Sequence, residues 1–399
     1  MNTTKIFSTL VVALAIAVAH AQAPECLVIN GQRLAKLRQQ WQQKNATVTP
    51  AVNQLLQQAD SMLAMKPLSV MEKSFLPVSG NRHDYMSQAP YFWYDSSKPS
   101  GLPYLRRDGQ RNPEIYKITD RSNLGKLETA SKTLAMAWYL THEDKYAAKA
   151  ATLLNTWFLD TSTKMNPHLD YGQAVPGVNS GRGIGIIETI ALTGIADASL
   201  LLNGAPSWTA AQQTALQQWY KAYLQWMLTS KNGKEEHAAK NNHGTWYYAQ
   251  AIDFALFTGQ KALAVSLVEE SKKRLDSQLT ADGKQPLELE RTNGLGYSTM
   301  NLHGWFTVAT LAEKTGNDLW NYHSPNGASL RTALDWLLPY ATAKKTWEYQ
   351  QISKYNAGED FFPLLLQAAE GFKEPKYLAD ADGITQAKPA VLSTLLYGN

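Results

Sequence analysis

Apolar positions recur along this chain at helical spacing, and runs that alternate in the manner of strands are scarce. Between 143 and 158 (EDKYAAKAATLLNTWF), Tyr146, Ala150, Leu153, Leu154 and Trp157 fall on one stripe, which predicts a helix packed by that face. The pattern returns over 209–228 with Leu216, Trp219, Tyr220, Tyr223, Leu224 and Met227. There Thr209 stands three residues before Gln212, the spacing of a capping box. Further helices are predicted over 32–44, 50–65, 124–141, 184–203, 242–258, 260–280, 299–316, 327–343 and 358–371.

Short punctuations separate these helices: Asn203-Gly204-Ala205-Pro206, Thr258-Gly259 and Ala281-Asp282-Gly283. Helices joined so tightly pack antiparallel, as hairpins. The element order therefore predicts an all-α fold, an incomplete (α/α) toroid of about six or seven hairpins, although no exact internal repeat is present. Two stretches break the regularity, 74–121, rich in Pro, Gly, Tyr and Arg, and 160–183. Irregular loops of that length in a compact domain generally serve as lids or binding walls.

The N-terminus changes the picture of where the protein works. Lys5, the apolar run TLVVALAIAVA over 9–19 and the small-x-small triplet Ala19-His20-Ala21 read as an export signal cut after Ala21. Residues 22–399 are then expected to form one toroid domain in the periplasm or outside the cell. An apolar core of about a dozen residues is shorter than the roughly 20 a spanning helix needs, and no later run is expected to reach that length. Pro24-Glu25 ahead of Cys26 lack the small apolar residues of a lipoprotein site. A single cysteine forms no internal disulfide, so the core alone must hold the fold. The net charge of +4, with 18% charged residues, suits an acidic partner without requiring one. Twelve Trp and 19 Tyr suit both a helical core and the apolar faces of sugar rings.

Three segments concentrate polar and aromatic groups. The first runs NRHDYMSQAPYFWY over 81–94 and continues to GLPYLRRDG over 101–109. The second is KNNHGTWYY over 240–248, at a predicted helix start. The third is ELERTNGLGY over 288–297, continuing to Asn301 and His303. Asn242 and Arg291 can neutralise an anion, while His243 and Tyr297 can move protons. Each also has a plain structural role open to it. Asn242 suits a helix N-cap, His243 a cap or the core, Arg291 a pair with Glu288 or Glu290, and Tyr297 simple packing. Trp246, one turn past His243, suits the core as well as a sugar platform. The glycines of PGVNSGRG over 176–183 lack the spacing and the preceding strand of a dinucleotide loop. His237 and His243 match no common zinc-ligand spacing.

With Asn242-His243 in NNHGTWYY, the Arg291-to-Tyr297 segment, HDYMSQAPYFW and GLPYLRRDG, the chain resembles the alginate-lyase superfamily of polysaccharide lyases from about residue 75 to 310. In character it is most similar to polysaccharide lyase family 38, and more distantly to family 5. The resemblance implies an (α/α) toroid that cleaves 1,4-linked uronans by β-elimination, with an acidic polysaccharide as partner and no cofactor or metal. It points to no nucleic-acid or membrane partner. Asn242 and Arg291 would surround the substrate carboxylate, and His243 and Tyr297 would share the base and acid work. Arg82, His83, Tyr85 and Trp93 would wall the groove, with Asn179, Arg182, Trp246 and His303 as further substrate contacts.

Elimination removes H5, loads negative charge onto the adjoining carboxylate, and expels O4 with a proton. In mannuronate and glucuronate H5 and O4 share one face of the ring, so Tyr297 can act first as base and then as acid. In guluronate they lie on opposite faces, and His243 is the natural base. Two other classes remain open: a toroid glycoside hydrolase with carboxylates drawn from Asp170, Glu188, Glu288 and Glu290, and a non-catalytic glycan-binding protein.

Overall fold

The computed structural model describes residues 23–384 together with Leu395, so the expected export signal and its cleavage point lie outside the described residues. Helices account for 59% of the chain and strands for 4%. In chain order the helices are α1 (Gly31–Gln42), α2 (Thr49–Met62), α3 (Asp120–Thr141), α4 (Asp144–Leu154), α5 (Ala191–Leu201) and α6 (Ala210–Thr229). They continue with α7 (Lys231–Ala238), α8 (Asn242–Phe257), α9 (Lys261–Gln278), α10 (Pro286–Leu289) and α11 (Gly294–Thr315). The last four are α12 (Leu330–Ala341), α13 (Ala357–Asp360), α14 (Phe362–Gly371) and α15 (Lys376–Asp382).

Burial separates two layers. Helices α3, α5, α8, α11 and α14 pack side by side in that order and form the inner wall. α8 shows why: nearly every residue from Gly244 to Phe257 is buried, including Gln250 and Asp253, because neighbours press on all its sides. The outer helices bury one stripe only. In α6 the buried set is Leu216, Trp219, Tyr220, Tyr223, Leu224 and Met227, the six residues that periodicity selects. Its start is the expected capping box, in which the Thr209 hydroxyl accepts from the Gln212 amide at 3.2 Å and the Gln212 side chain accepts from the Thr209 amide at 2.8 Å. This inner and outer pairing is the (α/α) toroid expected from the element order.

The long loops are not structureless. β1 (Met86–Gln88) pairs in parallel with β4 (Tyr171–Ala174), and β2 (Phe92–Trp93) pairs antiparallel with β3 (Leu105–Arg106). β1–β4 therefore ties the 74–121 stretch to the 160–183 stretch, and both build one wall. Glycines allow the close approach that follows: a Cβ on Gly185 would lie 2.7 Å from the Gly172 carbonyl, and one on Gly183 would lie 2.6 Å from the Asn232 carbonyl. This squeezes 183–190 into a tighter 3₁₀ helix ahead of α5. Contrary to the expectation from run length, 183–201 is long and apolar enough to cross a membrane, with mean hydropathy 1.6, but 61% of it is buried inside the protein.

Two further differences from the periodicity matter for the site. α11 begins at Gly294 rather than 299, since Gln351 accepts from the Leu295 and Gly296 amides at 3.1 and 3.3 Å and so caps a glycine-rich first turn. α7, which the apolar pattern does not predict, is a short polar helix (KNGKEEHA) held by Ser230 at its N-cap.

Candidate active site

α8 and α11 lie side by side, and their N-termini carry the two halves of the site. Asn241, not Asn242, caps α8: its side chain accepts from the His243 amide at 3.4 Å. Asn242 is fully buried and binds both oxygens of Glu288, through its backbone amide at 2.6 Å and through Nδ2 at 2.7 Å. Its Oδ1 is buried and has no hydrogen-bond partner among the described residues. Glu288 belongs to α10, and its backbone carbonyl accepts from the Arg291 amide at 3.1 Å. One carboxylate thereby locks the start of α8 to the segment that leads into α11. Burial pushes the Glu288 pKa up, against the Asn242 hydrogen bonds and the positive fields of Arg291 and His243.

His243 points its Nδ1 at the Glu236 carboxylate of α7, 2.8 Å away. The Glu236 side chain is 1% exposed and that of His243 14%. Burial raises the Glu236 pKa, while His243 and then Arg182 counter it. The other ring nitrogen, Nε2, has no protein partner among the described residues and can exchange a proton with a ligand.

On the α11 side, Arg291 grips Asp108 with two bonds, Nε to Oδ2 at 3.1 Å and Nη2 to Oδ1 at 2.8 Å. It pairs with neither Glu288 nor Glu290, the sequence neighbours that offered it a plain role. Asp108 also accepts from Thr292 Oγ1 at 3.0 Å and from Arg106 at 2.7 Å. Burial works against its charge, but Arg291, Thr292 and Arg106 hold the carboxyl well below the usual range. Tyr297 donates to the hydroxyl of Tyr91 at 2.8 Å. Burial and then Tyr91 push its phenol above the ordinary tyrosine value, with Arg291 opposing.

The remaining predicted contacts divide. Arg182 belongs to the site: its charge is felt at Glu236, its Nη2 donates to Gln173 Oε1 at 2.9 Å, and it lies over the Phe92 ring at 5.0 Å. Among the described residues no carboxylate lies within ion-pair distance of it, and its Nε is buried without a partner. Trp93 sits half-buried on β2 beneath Arg107, with Nε1 donating to the Gln110 carbonyl at 2.9 Å. Asn179 is exposed and spends its Oδ1 on the Val175 amide at 3.1 Å, shaping the turn before Arg182.

The other five each have a protein partner in the structure. Arg82 turns inward and donates to the Lys73 carbonyl. His83 binds the Lys164 carbonyl through Nδ1 at 2.6 Å and joins the two long loops. Tyr85 is fully buried and donates to Glu188 at 2.8 Å. Trp246 wedges between α8 and α11, donating to the Met300 carbonyl at 3.2 Å. His303 contacts the Asp360 carbonyl at 2.6 Å, further along α11 from the cluster.

Residue type alone missed Glu236, Tyr91 and Asp108, and it offered Glu288 only as a hydrolase carboxylate. The hydrolase carboxylates do not gather: Glu188 is bonded to Tyr85 and Ser87, Glu288 lies behind Asn242, and Asp170 accepts from Trp226 at 2.9 Å. His237 and His243 face different carboxylates, Glu270 and Glu236. No group of three or more His, Cys, Asp or Glu side chains able to hold a metal occurs among the described residues.

A helical toroid with a histidine and a tyrosine at the starts of adjacent inner helices, and a guanidinium stacked on the tyrosine, has the build of a polysaccharide lyase, and that is the class of this enzyme. The sequence profile of the family described as Alginate lyase matches residues 69–347, and the chain belongs to that family. Among solved structures it is similar to an alginate lyase from Bacteroides ovatus, at 39% identity over 94% of this chain and 99% of that one, with a TM-score of 0.89. It shares the fold of alginate lyase A1-III from Sphingomonas species A1, at 17% identity over 86% of this chain and 93% of that one, with a TM-score of 0.53. A variant of A1-III complexed with a tetrasaccharide aligns at 18% identity, 84% and 88% coverage, and a TM-score of 0.57. Among curated protein sequences nothing matches the chain.

Proposed function

We propose that this lyase cleaves 1,4-linked uronans, alginate foremost, by metal-independent β-elimination, and leaves a 4,5-unsaturated uronate at each new end. The observation that carries the reading is the pairing of a histidine whose Nε2 is unoccupied with a tyrosine held protonated, on neighbouring helix starts. The names of the similar structures, alginate lyases from two organisms, support the substrate class.

In guluronate, His243 Nε2 takes H5 as the C5–H bond breaks. Charge then spreads onto the C6 carboxylate, where Arg182 and Arg291 supply positive field. Collapse forms the C4–C5 double bond and breaks the C4–O4 bond, and the Tyr297 hydroxyl delivers its proton to the departing O4. In mannuronate or glucuronate, Tyr297 in its ionised form takes H5 and returns the same proton to O4. Asn242, expected to neutralise the carboxylate, is given the role of holding His243 in place through its bond to Glu288. We also propose that the protein acts in the periplasm or outside the cell, on the strength of the N-terminal signal pattern.

The test is a panel of polymannuronate, polyguluronate, mixed alginate and glucuronan, followed by ultraviolet absorbance and product mass, with and without a chelator. Unsaturated products unaffected by the chelator are expected. Saturated products would replace this reading with a hydrolase, and binding without any product would replace it with a glycan-binding protein.

A further inference from the structure

We infer that Glu236 is a positioning residue that fixes the tautomer of His243 and thereby decides whether the enzyme can cleave at guluronate. The inference rests on the base role proposed for His243.

A neutral imidazole carries one proton, and the partner of one nitrogen settles the state of the other. An ionised carboxylate can only accept. With Glu236 Oε1 2.8 Å from Nδ1, the proton sits on Nδ1 and the lone pair of Nε2 is left for substrate. The reverse tautomer would place a hydrogen on Nε2 and leave nothing to receive H5.

Three features show that Glu236 is built for this contact. Among the described residues its second oxygen, Oε2, is buried without a partner, and its one hydrogen bond is the one to His243. A buried carboxylate with an orphaned oxygen costs stability, and nothing else in α7 draws on it. Burial and the neighbouring Glu235 raise its pKa, and it is the contact with His243 and the charge of Arg182 that oppose the rise. Finally, α7 is seated by close backbone contact with the end of α6: a Cβ on Gly233 would fall 1.7 Å from the Met227 carbonyl.

The consequence differs between epimers. Where H5 and O4 lie on one face, Tyr297 does both proton transfers and the state of His243 matters little. Where they lie on opposite faces, His243 must be the base, and its tautomer is decisive.

Glu236→Leu and Glu236→Gln should be assayed on polyguluronate and polymannuronate by initial rates of unsaturated product. Glu236→Leu is expected to lower kcat on polyguluronate by about 10²–10⁴-fold, with KM little changed. On polymannuronate the loss should stay below about tenfold. Glu236→Gln, which keeps an acceptor oxygen, should fall between. Equal losses on both polymers, unchanged polyguluronate turnover in Glu236→Leu, or a wild type that cleaves polymannuronate alone would overturn the inference. Nitrogen NMR of the full chain with isotope-labelled histidine gives a readout apart from turnover. His243, assigned by its absence in His243→Asn, is expected as the Nδ1–H tautomer in wild type and as mainly Nε2–H in Glu236→Leu. A wild-type Nε2–H signal would overturn the inference even if every uronan is cleaved. Absence of unsaturated product from all uronans, with the Nδ1–H signal intact, would instead overturn the proposed function and leave the tautomer assignment standing.

Discussion

The guanidinium carbon of Arg291 lies 3.8 Å from the centre of the Tyr297 ring. Both of its hydrogen-bonding edges used here go to Asp108, so what Arg291 gives the phenol is field rather than a bond. That field favours the phenolate, but burial and Tyr91 outweigh it, and Tyr297 stays protonated at neutral pH. In the protein without substrate the tyrosine therefore keeps its proton, and among the described residues Nε2 is the nitrogen of His243 left without a partner.

Tyr297→Phe should abolish unsaturated product on every uronan, by about 10²–10⁴-fold, since no other group takes over the protonation of O4. The fold should survive, because the variant loses one hydrogen bond to Tyr91, a cost of about 1 kcal/mol. Absorbance assays beside a thermal melt test this, and near wild-type turnover would sink the mechanism.

The two epimers should respond differently to pH. With its pKa above the ordinary tyrosine value, Tyr297 has an ionised fraction that grows about tenfold per pH unit through the neutral and mildly alkaline range. Turnover of polymannuronate, which needs the phenolate as base, should climb with pH relative to turnover of polyguluronate, which needs the phenol as acid. Parallel pH profiles on the two polymers would contradict the division of labour.

Asp108→Ala should loosen the 90–110 arm from α11. It removes both partners of a largely buried guanidinium and is expected to destabilise by about 2–3 kcal/mol. Because the folded-state pKa of Asp108 is depressed, its contribution is present above the unfolded value near about 3.9 and is lost as pH falls toward the folded value. Denaturant titrations of both proteins at neutral and acid pH should therefore converge at the acid end.

Arg182→Ala should raise KM on uronans by about ten- to a hundredfold, the loss of a desolvated charge-assisted contact. Among the described residues Arg182 has no carboxylate within ion-pair distance, whereas Arg291 is already committed to Asp108. Arg291→Ala is expected to show its main defect as lowered stability. The reverse ranking, measured by steady-state kinetics and melting of both variants, would return the carboxylate to Arg291.

Periodicity found the wall helices because burial is written into apolar spacing. The six buried residues of α6 and the Thr209 cap were legible for that reason. α7 was not, since KNGKEEHA carries no apolar stripe and is held by the Ser230 cap and by contacts to α6 and α8. The first turn of α11 was missed because its cap comes from Gln351, far along the chain. In the site, His243 and Tyr297 were legible as proton-transferring types in polar, aromatic segments. Their partners were not: Glu236 lies on the unpredicted helix, and Asp108 reaches Arg291 across 183 positions of sequence. The burial of Tyr85 and Trp246 was not legible, because an aromatic ring has the same composition signal in a core as on a sugar platform.

The bond from Glu288 to Asn242 gives the enzyme a chassis. It joins the mounting of the histidine to the mounting of the tyrosine. Polymer preference is then expected to be set outside this block, by Glu236 on α7, the β1–β4 wall and the arm that Asp108 fastens down. Substituting within the block should be felt by every substrate, and trading the arm or the wall should be felt by some.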